Sequence, residues 1–372
     1  LVPSPAATSH IPGVDRCLLH PTGRKRRRSF WRILGAGPPG DRSSATPVHW
    51  LSPLHPGSQP GLEAMLGSRF AVIVLAITTG VLASCSDTDQ GQGSSPVGIA
   101  PAGIATLDGT HRHVLESRFV DQVFAIDVWQ PIASHGPLPV VFVLDGNTSF
   151  GLASQIVVPM TYSGDLPPIL VVGIGYVVQS PLEVVALRAL DLLPVPEEGF
   201  AERMSGLGFP VPEGVAPGGA DAFLSFIEDE LKPYIESRYP VAAGDATLVG
   251  YSYGGTFATY VLLTAPSSFQ RYVIGSPVLR RPGMDLIRDE QRFAANRERL
   301  DATLFLSAAE FEVENRILPL TRQLMKALSG RSYDGFTFRS HEFPGETHES
   351  AIAPTISRGL RSVFGTWEAP RP

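Results

Sequence analysis

The sequence predicts an α/β fold, in which a mainly parallel, twisted sheet is covered by helices on both faces. Two continuous apolar runs rich in β-branched residues, 140–144 and 169–175, suit strands that are buried on both faces. Residues 221–239 instead carry apolar side chains at helical spacing, with acidic residues between them. Because strand-like and helix-like segments alternate along the chain, crossover helices are available for the parallel pairing of the strands.

The other elements follow in order. In residues 124–128 apolar side chains alternate with Ala125 and Asp127, which predicts an early strand exposed on one face. Further strands are predicted from short apolar runs at 247–249, 272–275, 303–307 and 336–343. Helices are predicted at 255–263 and 352–364. The Gly- and Pro-rich segment 195–218 is long for a loop, which indicates either a substrate-facing flap or a surface insertion. These elements predict one α/β domain at residues 109–372.

The first 64 residues show no helical or strand periodicity and are rich in Pro, Gly, Ser and Arg. Their basic run, 24–28, could be read as a nucleic-acid patch or as a twin-arginine export signal, but no long apolar region follows it. We interpret residues 1–64 as a disordered or non-native extension, with translation starting at Met65. Residues 1–84 carry nine Lys/Arg and three Asp/Glu, so residues 85–372 hold a net charge of −12.

A lipoprotein signal is predicted at residues 65–84. A short segment with one positive charge, Arg69, precedes the uncharged apolar run 70–82, which is too short for an ordinary membrane span. The following Leu-Ala-Ser-Cys, which ends at Cys85, resembles the lipobox of bacterial lipoproteins. The resemblance implies a lipid on Cys85 and export to the periplasm or cell surface of a bacterium. Residues 85–108 are then a polar tether.

Composition excludes several classes of protein. A net charge of −6 and a pI near 5.9 give no footprint for nucleic acid. The two cysteines, Cys17 and Cys85, exclude a disulfide framework and are too few for a cysteine-based metal cluster. The site residues identified below imply neither a metal nor an organic cofactor. The sequence leaves the oligomeric state open.

Residues 250–254 read Gly-Tyr-Ser-Tyr-Gly and lie directly between a predicted strand and a predicted helix. This strand–turn–helix context is that of a nucleophile elbow, in which glycines are needed because the turn brings the neighbouring backbones close together. Ser252 is therefore the predicted nucleophile.

The base and the acid are predicted from the order of such residues in α/β-hydrolases, where the acid and then the histidine follow the nucleophile. His348 lies after the last predicted strand and before the final helix, so it is the predicted base. The acid is expected after the strand at 303–307, where Glu310, Glu312 and Glu314 compete. We favour Glu312, with Glu310 as the alternative.

With these residues assembled, the chain resembles the putative-esterase (esterase D-like) family of α/β-hydrolases, and most of all its periplasmic enterochelin-esterase-like members. The resemblance extends over residues 113–364. It is carried by the segments VFVLDGN at 141–147, GIGY at 173–176, RALDLLP at 188–194, GGADAFL at 218–224 and ELKPYI at 230–235. The family's Thr is Leu193 here, and its Gly before the acid is absent.

The resemblance implies a carboxylic-ester hydrolase that acts on a small-molecule ester through an acyl-enzyme. It also implies an oxyanion hole made by the peptide N–H groups of Tyr253 and Asn147. A siderophore-type ester is one candidate substrate, although a domain of net charge −12 would not attract an anionic ferric siderophore. Two alternatives remain: an acyltransferase with the same triad, as in the related mycolyltransferases, and a non-catalytic surface binding lipoprotein.

Overall fold

The computed structural model describes residues 107–132, 136–178, 181–209, 211, 216–314 and 316–365. The predicted extension 1–64, the signal peptide 65–84, Cys85 and nearly all of the tether lie outside these residues. In the described part of the chain, no helix has the length and apolar character needed to cross a membrane. The same residues contain no cluster of three or more His, Cys, Asp or Glu that could hold a metal ion.

The described residues form one large sheet and a short two-stranded ribbon. The strands are β1 (Thr110–Glu116), β2 (Val123–Trp129), β3 (Leu138–Val143), β4 (Leu170–Tyr176), β5 (Val241–Tyr251), β6 (Arg271–Gly275), β7 (Arg280–Arg281), β8 (Met284–Asp285), β9 (Arg299–Ala309) and β10 (Asp334–Phe343). The eight-stranded sheet has the order β1-β2-β4-β3-β5-β6-β9-β10, and β7 pairs with β8. Only the pairs β1/β2 and β2/β4 are antiparallel within the large sheet, so the prediction of a mainly parallel sheet is confirmed.

Helices connect the strands. The described α-helices are α1 (Gly146–Ser163), α2 (Pro181–Leu192), α3 (Phe200–Gly206), α4 (Ala220–Phe226), α5 (Lys232–Glu236), α6 (Tyr253–Thr264), α7 (Leu286–Asn296), α8 (Ile317–Ser329) and α9 (Ile352–Val363). A π-helical stretch, Ile227–Leu231, joins α4 to α5, and a short 3-10 turn, Pro266–Ser268, follows α6.

The core lies on both faces of the sheet. Successive side chains of β3 point to opposite faces, so Val140 and Phe142 join one apolar cluster while Val141 and Val143 join the other. The first cluster also contains side chains of α4, α6 and α7, and the second contains side chains of α1 and α9. Helices therefore cover both faces, as the continuous apolar runs predicted.

Several segments differ from the sequence prediction. Strand β2, predicted to be exposed on one face, is buried on both, since Asp127 is paired with Arg112. Helix α1 was not predicted. The predicted helix 221–239 is interrupted by the π-helical stretch ahead of Pro233, because a proline has no N–H to donate and its ring crowds the preceding turn. The segment 195–218, predicted as a loop, contains α3. Helix α3 has only seven residues, which is too short for a helical period to stand out in the sequence.

Candidate active site

The predicted nucleophile lies in a sharp turn between β5 and α6. Ser252 has φ 58° and ψ −117°, a backbone conformation that costs energy for any residue with a side chain. Its N–H donates a 3.0 Å hydrogen bond to the carbonyl oxygen of Gly275 at the end of β6. The neighbouring strand thus holds the strained residue in place.

Glycines on either side of Ser252 permit this turn. A Cβ atom at Gly250 would lie 2.2 Å from the carbonyl oxygen of Gly254, and one at Gly255 would lie 2.6 Å from the carbonyl oxygen of Gly275. Both contacts are to backbone, which cannot move away as a flexible side chain can. The close backbone packing expected of the turn is therefore present at Gly250 and at Gly255, which directly follows the Gly-x-Ser-x-Gly pattern.

The predicted base contacts one of the competing carboxylates. His348 Nδ1 lies 2.5 Å from Glu312 Oε1, and the Glu312 side chain is 1% exposed. The other carboxylate oxygen, Oε2, accepts hydrogen bonds from the N–H of Ala309 (2.8 Å) and the hydroxyl of Ser276 (2.9 Å). Both oxygens of the buried carboxylate are therefore hydrogen-bonded, and its orientation toward His348 is fixed.

The alternative acid points elsewhere. Glu310 Oε2 accepts a 2.7 Å hydrogen bond from the N–H of Gly345, and the side chain is exposed. Glu314 is also exposed. The geometry brings Glu312 to His348 and leaves Glu310 to support the loop that carries His348. The catalytic roles of all these residues stay predictions.

Two side chains behind the histidine were not predicted to belong to the site. Ser276 Oγ lies 2.8 Å from the hydroxyl oxygen of Tyr251, and the ring centroids of Tyr251 and His348 are 5.1 Å apart. Burial raises the pKa of the Tyr251 hydroxyl, so this group stays protonated. One sequence signal could have indicated Ser276, since it directly follows β6 and the carboxyl ends of parallel strands meet at one edge of the sheet.

The predicted oxyanion donors begin two helices. The first hydrogen bonds of α1 run from the N–H groups of Thr148 and Ser149 to the carbonyl oxygen of Asp145. The N–H of Asn147 therefore lies before the first hydrogen bond of the helix. The Asn147 side chain donates to the carbonyl oxygen of Tyr176 (2.9 Å) and accepts from its N–H (2.7 Å), which fastens the start of α1 to the end of β4.

Tyr253 occupies the corresponding place in α6. The first intrahelical hydrogen bond there runs from the Thr256 N–H to the Ser252 carbonyl oxygen (2.9 Å). The Tyr253 N–H therefore also lies before the first hydrogen bond of its helix. The positive ends of two helices therefore lie on either side of the sheet edge at which Ser252 is found.

A cavity of about 540 Å³ opens over these residues. Ser252, His348 and Asn147 all line it, so the structure brings the predicted nucleophile, base and one oxyanion residue to the same space. Its other lining residues are Asp145, Thr148, Ser149, Val178, Val184, Val185, Arg188, Tyr251 and Ile352. Among the described residues no hydrogen bond joins Ser252 to His348, and such catalytic contacts are often long before substrate binds.

A buried carboxylate connects the segment 195–218 to β7. Glu197, with a side chain 5% exposed, accepts hydrogen bonds from Arg203 in α3 and from Arg281 in β7. Although burial opposes ionisation, the hydrogen bonds from the two arginines lower the pKa of Glu197. The ion pair with Arg203 lies within the segment, and the one with Arg281 connects the segment to the rest of the domain.

Other histidines lie away from the cavity. His113 lies between the hydroxyl groups of Tyr234 and Tyr239, at 3.0 and 2.7 Å, and His341 contacts Arg358 at 2.7 Å. Neither lines the cavity with Ser252. The histidine that was predicted from the order of residues in the chain, His348, is therefore the one that lines the same cavity as Ser252.

Comparison with known proteins gives consistent similarities. The family model described as "Putative esterase" matches residues 124–307. The chain is 31% identical over 268 residues to the ferri-bacillibactin esterase BesA of Bacillus subtilis, covering 69% of this chain and 90% of the relative. It is 27% identical over 264 residues to the siderophore triacetylfusarinine C esterase of Aspergillus fumigatus, covering 62% of this chain and 83% of the relative.

A solved structure shares the fold. The crystal structure of the BES protein from Bacillus cereus matches with a TM-score of 0.62 and 26% sequence identity, over 71% of this chain and 98% of that one. The mainly parallel sheet and its flanking helices are therefore those of an α/β-hydrolase.

Proposed function

We propose, on the premise that this chain belongs to the putative-esterase family and is a carboxylic-ester hydrolase, that Ser252 is the nucleophile with which it cleaves esters. His348 is the general base in this proposal, and Glu312 orients it. The observation that carries the proposal is the shared cavity: Ser252 in its strained turn and His348 held by a buried glutamate line the same space.

The contact between Glu312 and His348 sets the state of the imidazole. An ionised carboxylate can only accept a hydrogen bond, so the hydrogen in this contact lies on His348 Nδ1. The other ring nitrogen, Nε2, is then unprotonated and available as a base. When Nε2 takes a proton, the nearby carboxylate stabilises the imidazolium that forms.

The reaction then proceeds in two halves. His348 Nε2 accepts the hydroxyl proton as Ser252 Oγ bonds to the ester carbonyl carbon, and the carbonyl oxygen becomes an oxyanion that the N–H groups of Asn147 and Tyr253 bind. The C–O bond breaks, and the imidazolium gives its proton to the departing alcohol. Water, activated by His348, attacks the acyl-enzyme and releases the acid together with free Ser252.

For the substrate we propose an ester within an iron-chelating siderophore. The support is that the relatives in Bacillus subtilis and Aspergillus fumigatus are named as esterases of ferri-bacillibactin and of triacetylfusarinine C. Incubation with each of these compounds, followed by mass spectrometry of the products, tests the substrate class. Hydrolysis of simple esters with no cleavage of either siderophore would contradict it.

We also propose that the mature protein begins at a lipidated Cys85 and works outside the cytoplasm. The support is the order of a charged segment, an apolar run and the Leu-Ala-Ser-Cys sequence within residues 65–85. The tether that follows would let the domain reach substrate near the membrane surface.

Hydrolysis of p-nitrophenyl acetate and butyrate tests the catalytic proposal. We expect Ser252→Ala to lower kcat by at least about a thousandfold, because the nucleophile is lost while the oxyanion donors remain. Ser149→Ala is the matched control, since this serine lines the same cavity, and it should keep kcat within about threefold of the wild type.

Labelling by a fluorophosphonate gives a second readout. The wild-type protein should be labelled on Ser252, and Ser252→Ala should not be labelled. Full activity in Ser252→Ala, or a folded wild type that neither hydrolyses esters nor reacts with the probe, would overturn the proposal. The second result would favour the non-catalytic binding lipoprotein.

A further inference from the structure

A largely buried ion pair is among the groups that line the cavity. Arg188 in α2 donates two hydrogen bonds to Asp145, from Nε to Oδ1 (2.6 Å) and from Nη2 to Oδ2 (2.7 Å). The side chains are only 18% and 10% exposed. This geometry is the bidentate pairing in which Arg is more specific than Lys.

Asp145 belongs to the turn that presents one oxyanion donor. Its backbone has φ 55° and ψ 43°, a left-handed conformation that is rare for residues other than glycine. Because of this turn, its carbonyl oxygen accepts the first hydrogen bonds of α1, and the N–H of Asn147 lies before the first of these hydrogen bonds. A contact that fixes Asp145 therefore also fixes the direction of the Asn147 N–H.

The same carboxylate also lies close to the start of α6, which carries the other proposed oxyanion donor, the Tyr253 N–H. Asp145 Oδ2 would lie 3.0 Å from a Cβ atom at Gly254, in the first turn of α6 next to Tyr253. An unpaired negative charge there would oppose the negative charge that develops on the ester oxygen. Arg188 neutralises it, and its Cζ lies 5.1 Å from the centroid of the Tyr253 ring.

From these contacts we infer that Arg188 is a positioning residue for the oxyanion hole, which holds the Asp145 turn in place and neutralises the Asp145 carboxylate between the two N–H donors. The inference rests on the proposed function, since it assumes that Asn147 and Tyr253 bind the oxyanion. In this role Arg188 lowers the energy of the transition state even for neutral esters, and it does so without contacting the substrate.

Replacement of one or both members of the pair tests the inference with neutral p-nitrophenyl esters. We expect Arg188→Met to lower kcat by about thirtyfold or more while KM changes less than about threefold, because a transition-state interaction is weakened. The double variant Asp145→Asn with Arg188→Met removes both charges and should recover at least about fivefold of the lost kcat.

A comparable ion pair elsewhere is the matched control. Arg331 donates two hydrogen bonds to the buried Glu290, at 2.8 and 3.0 Å, and neither residue lines the cavity. Arg331→Met should destabilise the fold to a similar degree and leave kcat within about twofold. Thermal unfolding of each variant shows whether it is folded at the assay temperature.

Binding of a phenylboronic acid, which forms an anionic tetrahedral adduct on a nucleophilic serine, adds a readout that loss of stability alone would not change. Its affinity should fall in Arg188→Met by about the same factor as kcat/KM.

Three outcomes would overturn the inference while Ser252→Ala still abolishes activity. These are an unchanged kcat in Arg188→Met, a loss confined to KM, or a double variant no better than the single one. Activity that survives Ser252→Ala would refute the catalytic proposal itself, so the two failures are distinguishable.

Discussion

Ser252, the proposed nucleophile, shows how the surrounding structure can hold a single residue in a strained conformation. Its positive φ is maintained because its N–H is bonded to Gly275 of the next strand and because Gly250 and Gly255 leave room for the turn. The cost of such a conformation, of order 1–3 kcal/mol, must be met by the surrounding sheet and helix. The turn directs the side chain away from both elements and toward the cavity.

Glu312 and Glu310 differ by two positions in sequence and by their whole environment. Glu312 is buried and contacts His348, whereas Glu310 is exposed and holds the N–H of Gly345. We expect Glu312→Gln to lower kcat by roughly a hundredfold to ten-thousandfold, because an amide neither fixes the histidine tautomer nor stabilises the imidazolium.

The matched control, Glu310→Gln, should stay within about threefold of wild type, since an amide oxygen can still accept the hydrogen bond from Gly345. Steady-state kinetics with p-nitrophenyl butyrate measures both variants. If Glu310→Gln is the more damaging of the two, the assignment of the acid is wrong.

At the scale of elements, α2 is fixed to the sheet by polar contacts as well as apolar ones. Arg188 pairs with Asp145, and one turn later the buried Asp191 lies near the hydroxyl of Tyr176 in β4. Asp191 is 2% exposed. Tyr176 in turn holds the Asn147 side chain through its backbone, so α2 supports the start of α1 by two routes.

Burial of Asp191 makes the stability of this contact depend on pH. Burial raises the pKa of Asp191 from 3.8 to about 7, with the nearby Tyr176 hydroxyl opposing the rise. The folded protein therefore binds this proton more tightly than the unfolded chain does. The resulting stabilisation is complete below about pH 4 and is lost as the pH rises through 7.

At about 1.4 kcal/mol per pKa unit, the loss between low and high pH is at most about 4 kcal/mol. The amide in Asp191→Asn does not titrate. The free energy of unfolding of this variant, minus that of wild type, should therefore rise by about 2 kcal/mol or more from pH 5 to pH 8. Urea unfolding at the two pH values measures this difference.

Asp121→Asn, at an exposed position, controls for the loss of one charge and should shift stability equally at both pH values. Parallel pH dependences for wild type and Asp191→Asn would show that Asp191 is not the group responsible.

At the scale of the whole molecule, the sheet order gathers the site. Strands β3, β5, β6 and β9 are parallel neighbours, so the residues that follow their carboxyl ends meet at one edge. Asp145, Ser252, Ser276 and Glu312 each follow one of these strands. His348 joins them from the loop after β10, the last strand of the sheet.

The proposed lipid anchor also belongs to this scale. In cells that express the whole chain, we expect incorporation of an alkyne-labelled fatty acid and recovery of the protein in the membrane fraction. Cys85→Ser should abolish both, because the serine hydroxyl cannot replace the thiol as the site of acylation. Cys17→Ser is the control, and it should remain labelled. A wild-type protein without label, or a native peptide from upstream of Met65, would contradict the proposed processing.

Much of the fold could be predicted because the signals are local. The continuous apolar runs of β3 and β4 reflect burial on both faces, and this property is visible in neighbouring residues. Helix α1 was not predicted, since its Gly, Ser and Pro159 dilute the helical pattern. It forms because its apolar side, with Phe150 and Val157, packs against the sheet.

The sequence by itself determined the parallel sheet, the strand–turn–helix around Ser252 and the position of His348 after the last strand. Each depends on side chains that are adjacent in the chain or on the order of elements. Only the tertiary structure decided which glutamate meets His348, and it alone showed that Ser276 supports this glutamate and that Arg188 pairs with Asp145. Those partners are 36 to 43 residues apart, so their contacts depend on which strands become neighbours and on how the connecting loops pack.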